Sequence, residues 1–443
     1  NGSGNATLVN DTGLNFAAST VGGALNATAT TGNMTDSGAL TIASTSSFTT
    51  SATDADIILN NANTFTGAVN FNTTGSTGHA TVVGTSGLNI SASTVGGNLS
   101  ATATTGNIED AGVLTIAGTS SFTTSANNAD IILNNTNAFT GAVALNTTGS
   151  SGNATVVDAS GLDLGASTVG GNLVATATTG DIVDSGNLAV TGTSMFLTGA
   201  SGSNIILDSS GNAFSNSVTL QADDGNETFG NITFIDSGMV RLRRSAVGDG
   251  DLYINAATDA AVGGNLNITA TTGNIRQNLA VAVAGTSSFT TSANNADIIL
   301  SNTTNAFTGA VTLNTTGSSG YATIDNGTTA FIVAQSSVGG NLILTSGHAS
   351  GITDSGTVTV GGNLAATTDA NSGVINLGTL AVDGTVALTT NGSGNATVVN
   401  DAGLNFAAST VGGVLNATAT TGNMTDSGAL TIAGTSSFTT SAN

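Results

Sequence analysis

The chain has 443 residues, a formal net charge of −22 and only 7% charged residues, with no Pro, Cys, Trp or Lys. Without Cys there is no disulfide or thiolate-metal scaffold. Four basic residues, Arg241, Arg243, Arg244 and Arg276, against 26 acids cannot neutralise many nucleic-acid phosphates, and no apolar run approaches the ~18 residues of a membrane span. The chain is 39% hydrophobic with few charges, which is the wrong composition for disorder.

Reading from the N-terminus, Val-Gly-Gly recurs at Val21, Val95, Val169, Val262, Val338 and Val411. The first two steps are equal, the third, from Val169 to Val262, is the longest, and the last two return close to the first. The segments that follow match closely: VGGALNATATTGNMTDSG, VGGNLSATATTGNIEDAG and VGGNLVATATTGDIVDSG. A fixed period of this kind marks a repeat architecture. Residues 1–53 return as residues 391–443 with five changes, which sets a larger super-repeat above the unit, so the chain reads as a slice of a longer repeat protein.

The first unit divides into Val21–Gly38, Ala39–Asp56, Ile57–Thr77 and Gly78–Thr94. Within these, Leu25, Ala27 and Ala29 alternate with Asn26, Thr28 and Thr30, and Val69 and Phe71 alternate with Asn70 and Asn72. Period-2 alternation predicts short strands with one face inside, and Gly-Asn and Ser-Gly pairs mark the turns. No segment carries a helical stripe. Short strands in coils of ~18–20 residues predict an all-β fold, a right-handed parallel β-helix of about 24 coils in one continuous solenoid. At ~4.8 Å per coil its length is on the order of 115 Å. Absent proline fits strands paired on both sides, where a missing N–H would break the ladder.

The long step from Val169 to Val262 predicts an irregular extra coil within 221–259, QADDGNETFGNITFIDSGMVRLRRSAVGDGDLYINAATD. Arg241, Arg243, Arg244 and Tyr253 lie here, and Arg276 holds the place of Thr35 in the first unit. Guanidinium groups on one strand face suit a carboxylate or a sulfated glycan. The plainer alternative is an extra rung whose arginines neutralise the local acids. Asp223, Asp224, Asp249 and Asp251 in the same stretch are the oxygen-rich candidates for Ca²⁺, and no other cofactor is indicated.

Other acids recur at fixed places: Asp36, Glu109 and Asp110 in TGNxxD-type turns, and Asp54, Asp56, Asp130 and Asp297 before the Ile-Ile-Leu runs. At about four coils per unit they stand about 19 Å apart and cannot share one ion, so they read as solvated turn acids. The pairs Thr28 and Thr30, Thr102 and Thr104, Thr176 and Thr178 point outward, but recur too sparsely for an ice-binding face. His79 and His348 occupy unmatched positions, and no HExxH, GxSxG or Walker loop is present, so no enzyme is expected. Asn-x-Ser/Thr sequons at Asn26, Asn98, Asn153, Asn267 and Asn416 follow from composition.

The runs GGNLSATATTGNIEDAG and ADIILNNANTFTGAVNFNTTG resemble the repeats of filamentous-haemagglutinin-type exoproteins, which leave bacteria by two-partner secretion or as autotransporters. The resemblance covers essentially the whole chain. It implies an extracellular, cell-surface fibre acting as an adhesin or in biofilm structure. The expected partners are other copies of itself, cell-surface receptors or glycans; composition already argues against nucleic acid and a membrane span in this segment.

Overall fold

The computed structural model describes residues 2–222, 230–238, 240–243, 251–254, 261–277 and 280–441. The chain divides into two compact units, Asn1–Asp224 and Gly225–Asn443. Among the described residues the regular structure is all strand and the strands pair in parallel, which makes a β-solenoid.

In the first unit one ladder runs through Ala6–Asn10, Leu25–Ala29, Ser46–Thr53 and Val69–Thr74. A second ladder runs through Leu14–Phe16, Met34–Asp36, Ile57–Phe65, Ala80–Gly84 and Leu99–Ala103. Alternation decides which face is inside. Leu25, Ala27 and Ala29 are buried while Asn26 between them is exposed. The register puts small side chains beside large ones: Ala27 pairs with Phe48, Ala101 with Phe122 and Ala175 with Phe196. The space that Ala leaves is taken by the ring on the next rung. Phe48 stacks on Phe71 at 6.1 Å and meets Phe16 and Phe65 edge-on. Interiors packed in this way tolerate little change in volume.

Val-Gly-Gly has a steric origin. A Cβ at Gly22, Gly96 or Gly170 would sit 1.6, 2.0 or 1.7 Å from the carbonyl oxygen of Gly2, Gly75 or Gly149 on the preceding coil. Corners this close admit no side chain.

The expected coil length needs correction. A regular coil runs from Ala6 to Leu25 at the short end and from Ser194 to Val218 at the long end, so most coils are longer than expected. The described residues make about 19 turns, where 24 were expected. Four alternating segments per unit suggested four coils, but stacking sets the coil. Leu25 and Leu173 hold equivalent places two repeat units apart and lie in one ladder. Seven steps separate them, through residues 46, 69, 88–90, 108, 131 and 154. One repeat unit therefore occupies three and a half coils. Leu99, the equivalent residue of the unit between, lies in the other ladder. Equivalent positions thus alternate between the two faces. The second compact unit behaves alike: Leu266 and Leu415 share one ladder, and Leu342 lies in the other.

The second compact unit also holds the long spacing. Ile232 pairs with Leu266 and Val240 with Ile275, so the ladder's step there is much longer than a regular coil. Val240–Arg243 lies between Ile275–Gln277 on one side and Asp251–Ile254 on the other. After Arg243 the chain therefore places its next ladder strand on the side opposite to the one where the stack continues.

Candidate functional site: turn columns, corner pairs and an inserted strand

Where the chain enters the second ladder, several successive turns each carry a side-chain acceptor for the backbone N–H of the turn one coil on, and where it enters the first ladder a like column stands. The Asp56 N–H donates to Asn33 Oδ1 at 2.9 Å, and the His79 N–H to Asp56 Oδ1 at 2.9 Å. The Asn98 N–H donates to His79 Nδ1 at 2.8 Å, and the Thr119 N–H to Asn98 Oδ1 at 2.9 Å. A second column joins Asn107, Asp130, Asn153, Asn172 and Thr193 in the same way. In the second compact unit the Asp297 N–H donates to Asn274 Oδ1 and the Tyr321 N–H to Asp297 Oδ1. Such a column needs an acceptor at every level. Asn, Asp and neutral His supply one, whereas Lys and Arg have only donors. At these column positions a Lys or Arg would leave the next turn's N–H without its side-chain acceptor.

A second set of coil-to-coil contacts is built from buried pairs, one in the second ladder and the next in the first. Asp36, Asp110 and Asp184 are 8, 7 and 6% exposed. The expectation of solvated turn acids fails for Asp36 and Asp110, because each reaches into the next coil and accepts hydrogen bonds there. Asp110 Oδ1 accepts the Asn134 N–H at 3.0 Å, and its Oδ2 accepts Asn137 Nδ2 at 2.8 Å. Asn137, fully buried, turns its Oδ1 to the Leu114 N–H at 2.8 Å. Asp36 with Asn63, and Asp184 with Asn212, repeat the arrangement. In the second compact unit Gln277 takes the place of the Asp, and its amide exchanges two hydrogen bonds with Asn305. The partner asparagines were missed in the sequence. The signal was a fixed offset, with Asn following Asp by 27 or 28 residues.

Burial raises the Asp184 carboxyl above its ordinary value, against the hydrogen bonds from Asn212 and the next coil's backbone. Burial likewise raises Asp158 and Asp325. Glu109 alone of the TGNIED acids is exposed. Asp54 sits at φ +62° in a tight turn, and its carboxylate accepts the Thr77 N–H. Among the described residues no three His, Asp or Glu side chains gather as metal ligands would.

The remaining candidates are dispersed. His79 stands in a turn column, and His348 Nδ1 accepts the Ser350 N–H within its own turn. Thr30 and Thr178 spend their hydroxyls on Asn10 and Ala159 carbonyls, so these members of the threonine pairs serve the coil. Of the sequon asparagines, Asn98 and Asn153 belong to turn columns, while Asn26, Asn267 and Asn416 are exposed in mid-strand. Shallow open grooves of about 520 and 460 Å³ run beside Gly161 and Asp163, and beside Gly87 and Asn89, at equivalent positions of successive repeat units. No helix among the described residues is long and apolar enough to cross a membrane.

Of the residues expected in a binding patch, Arg241, Arg243 and Tyr253 lie on described strands, and Arg276 is half-buried. Arg241 is in register with Arg276 on one side and Asp251 on the other, and Arg243 with Tyr253. The backbone thus brings four of the expected residues, with Asp251, onto three adjacent strands. Arg244, Asp223, Asp224 and Asp249 lie outside the described residues.

A family model described as repeats of unknown function matches residues 3–72, 77–146, 151–221, 245–314 and 393–443, and its first three matches begin one repeat period apart. Neither the curated proteins nor the solved structures give a match.

Proposed function

The chain belongs to the DUF5649 family of repeats of unknown function, and from that premise we propose that it is the extracellular fibrous stalk of a large bacterial surface adhesin. The observation that carries this reading is the way each coil is joined to the next. Backbone ladders on two faces are supplemented by Asn, Asp and His turn columns and by buried Asp–Asn pairs, each found on both ladders. Hydrogen bonds are thus spent on coil-to-coil cohesion, as suits a part whose work is length, stiffness and protease resistance. Stability in such an array is a sum over neighbouring coils, so units can be added without a new core. The resemblance to filamentous-haemagglutinin-type exoproteins supplies the surface location and the attachment role.

The test is to delete the repeats from the full-length protein on its own cells and measure attachment under flow. Loss of attachment with intact cell morphology is expected. Unchanged attachment would overturn the reading.

The half-integral repeat favours a second reading, a self-associating filament of an extracellular matrix, sheath or biofilm. Because equivalent residues alternate between faces, successive units offer the same side chains on alternate ladders. Ordered lateral bundling of the purified chain would favour this reading over the stalk.

A further inference from the structure

We propose that the outer face of the first ladder at Ile132, Val157, Val174, Met195 and Leu197 is the surface through which two copies of this chain associate side by side. Leu173, Ala175 and Ala177 are buried, so Val174 and Thr176 between them point outward, and both are partly exposed. Phe196 is buried likewise, and Met195 and Leu197 flank it on the outer face. The register sets Val174 beside Met195, Thr176 beside Leu197 and Val157 beside Thr176. Ile132 lies in line with Thr155 and Val174. The five apolar side chains thus form one patch over four consecutive rungs.

This patch departs from the repeat. In the two preceding units the places of Val174, Met195 and Leu197 are held by Asn26, Ser47 and Thr49, then by Ser100, Ser121 and Thr123. The buried residues of the same strands do not change: Leu, Ala and Ala on one, and Phe on the next, hold their places in all three units. The core therefore gives no reason for the outer change. In the second compact unit Ile343 stands in the place of Val174 and is 41% exposed, but Ala365 and Thr367 stand in those of Met195 and Leu197. A single exposed apolar residue is ordinary, whereas a contiguous patch marks an interaction surface.

Charge and area point to a second copy as the occupant. Glu109, in register with Ile132, bounds the patch, and from Ile132 to Gln221 the outward residues of this ladder carry no charge. Two copies at a net charge of −22 each repel wherever acids face acids, so a neutral face is where they can approach. The five side chains cover roughly 250 Å², and a stable interface takes about 800 Å² per partner. The same ladder runs from Ala6–Asn10 to Val218–Ala222 in about ten steps of ~4.8 Å, and its outer residues around the patch are mostly Asn, Ser and Thr. A strip of that length and ~14 Å width offers about 700 Å² per copy, which brings the whole face into the range of standard interfaces, with an apolar centre and a polar rim. A two-fold axis along the stack brings patch to patch and uses the full strip. The proposal rests on the self-association reading and names its surface.

The experiment is sedimentation equilibrium of the whole chain over a range of concentrations at low and high salt, with flotation on neutral phosphatidylcholine vesicles alongside. Association that strengthens with salt is expected, since screening removes the repulsion and leaves the apolar contact. The triple variant Val174→Ser/Met195→Ser/Leu197→Thr writes the preceding unit's residues onto the patch and should raise the dissociation constant at least about tenfold. Far-UV circular dichroism checks that it keeps its strands. Met195→Cys, in a chain without Cys, should crosslink between copies through a short bis-maleimide, and Ser121→Cys, at the equivalent place on the other ladder, should not. This arm stands if the triple variant misfolds. Unchanged association of a folded triple variant, or equal crosslinking at the two sites, would overturn the surface and leave self-association in place. A chain that stays monomeric at every concentration would overturn both, and flotation of that monomer through the patch would assign the surface to lipid.

Discussion

Asn137→Ala isolates the contribution of one corner pair. Asn137 is fully buried, and two bonds end on it: the Leu114 N–H donates to its Oδ1 at 2.8 Å, and its Nδ2 donates to Asp110 Oδ2 at 2.8 Å. Truncation leaves the Leu114 N–H buried without a partner, which costs about 1–3 kcal/mol. It also removes a hydrogen bond to a charged acceptor, about 1.5–3 kcal/mol. Asp110 keeps the backbone donors of Asn134 and Asn135, so its charge is not left bare. A local loss of about 3 kcal/mol follows, roughly a 150-fold rise in the opening constant. Because coils couple mainly to their neighbours, the loss should be concentrated in Ile108–Asp110, Leu114–Ile116 and Ile131–Phe139. Native-state hydrogen exchange reads it segment by segment. Protection of the Leu114 amide unchanged to within about 0.5 kcal/mol would refute the structural role assigned to the pair.

Three further outcomes follow from the same geometry. Asp158 is buried with its carboxyl raised, and the native state holds its proton more tightly than the unfolded chain. Its contribution is therefore fully present below the unfolded value near 3.8 and is lost as pH rises through the folded value. Asn326 and Asn400 occupy the equivalent place and use their amide to donate as well as accept. Asp158→Asn should thus raise stability at pH 7 by about 1–2 kcal/mol in urea melts and give no gain at pH 3. Asn153→His should be nearly neutral at pH 8, since His79 already fills such a column position, whereas Asn153→Lys, with no acceptor for the exposed Asn172 N–H, should cost about 0.5–1.5 kcal/mol. Phe122→Ala removes a ring packed against Ala101 and Phe139 and should cost about 3–5 kcal/mol by denaturant unfolding, more than any exposed substitution on the same strand.

The two-residue alternation of Leu25, Ala27 and Ala29, the regular return of Val-Gly-Gly and the absence of proline were enough to determine a stack of parallel strands. Those are local facts, because a strand's inner and outer faces are written in consecutive residues. What local sequence could not decide was how much chain closes a coil. That depends on which rung stacks beneath which, and only the tertiary register shows that one repeat unit makes three and a half coils, with Leu25 and Leu99 on different ladders. The fate of the acids was decided in the same way. Asp110 reads as a surface turn in sequence, but its partner Asn137 lies 27 residues on, and burial follows from the coil that carries that asparagine. The arginines were conspicuous from composition alone. Their alignment across Val240–Arg243 and Ile275–Gln277 came from a strand pairing that joins Val240 to Ile275, a long-range contact that no local pattern encodes. At the turn columns the fold adds a local reason against basic residues that composition does not show, because each turn there presents an acceptor to the next.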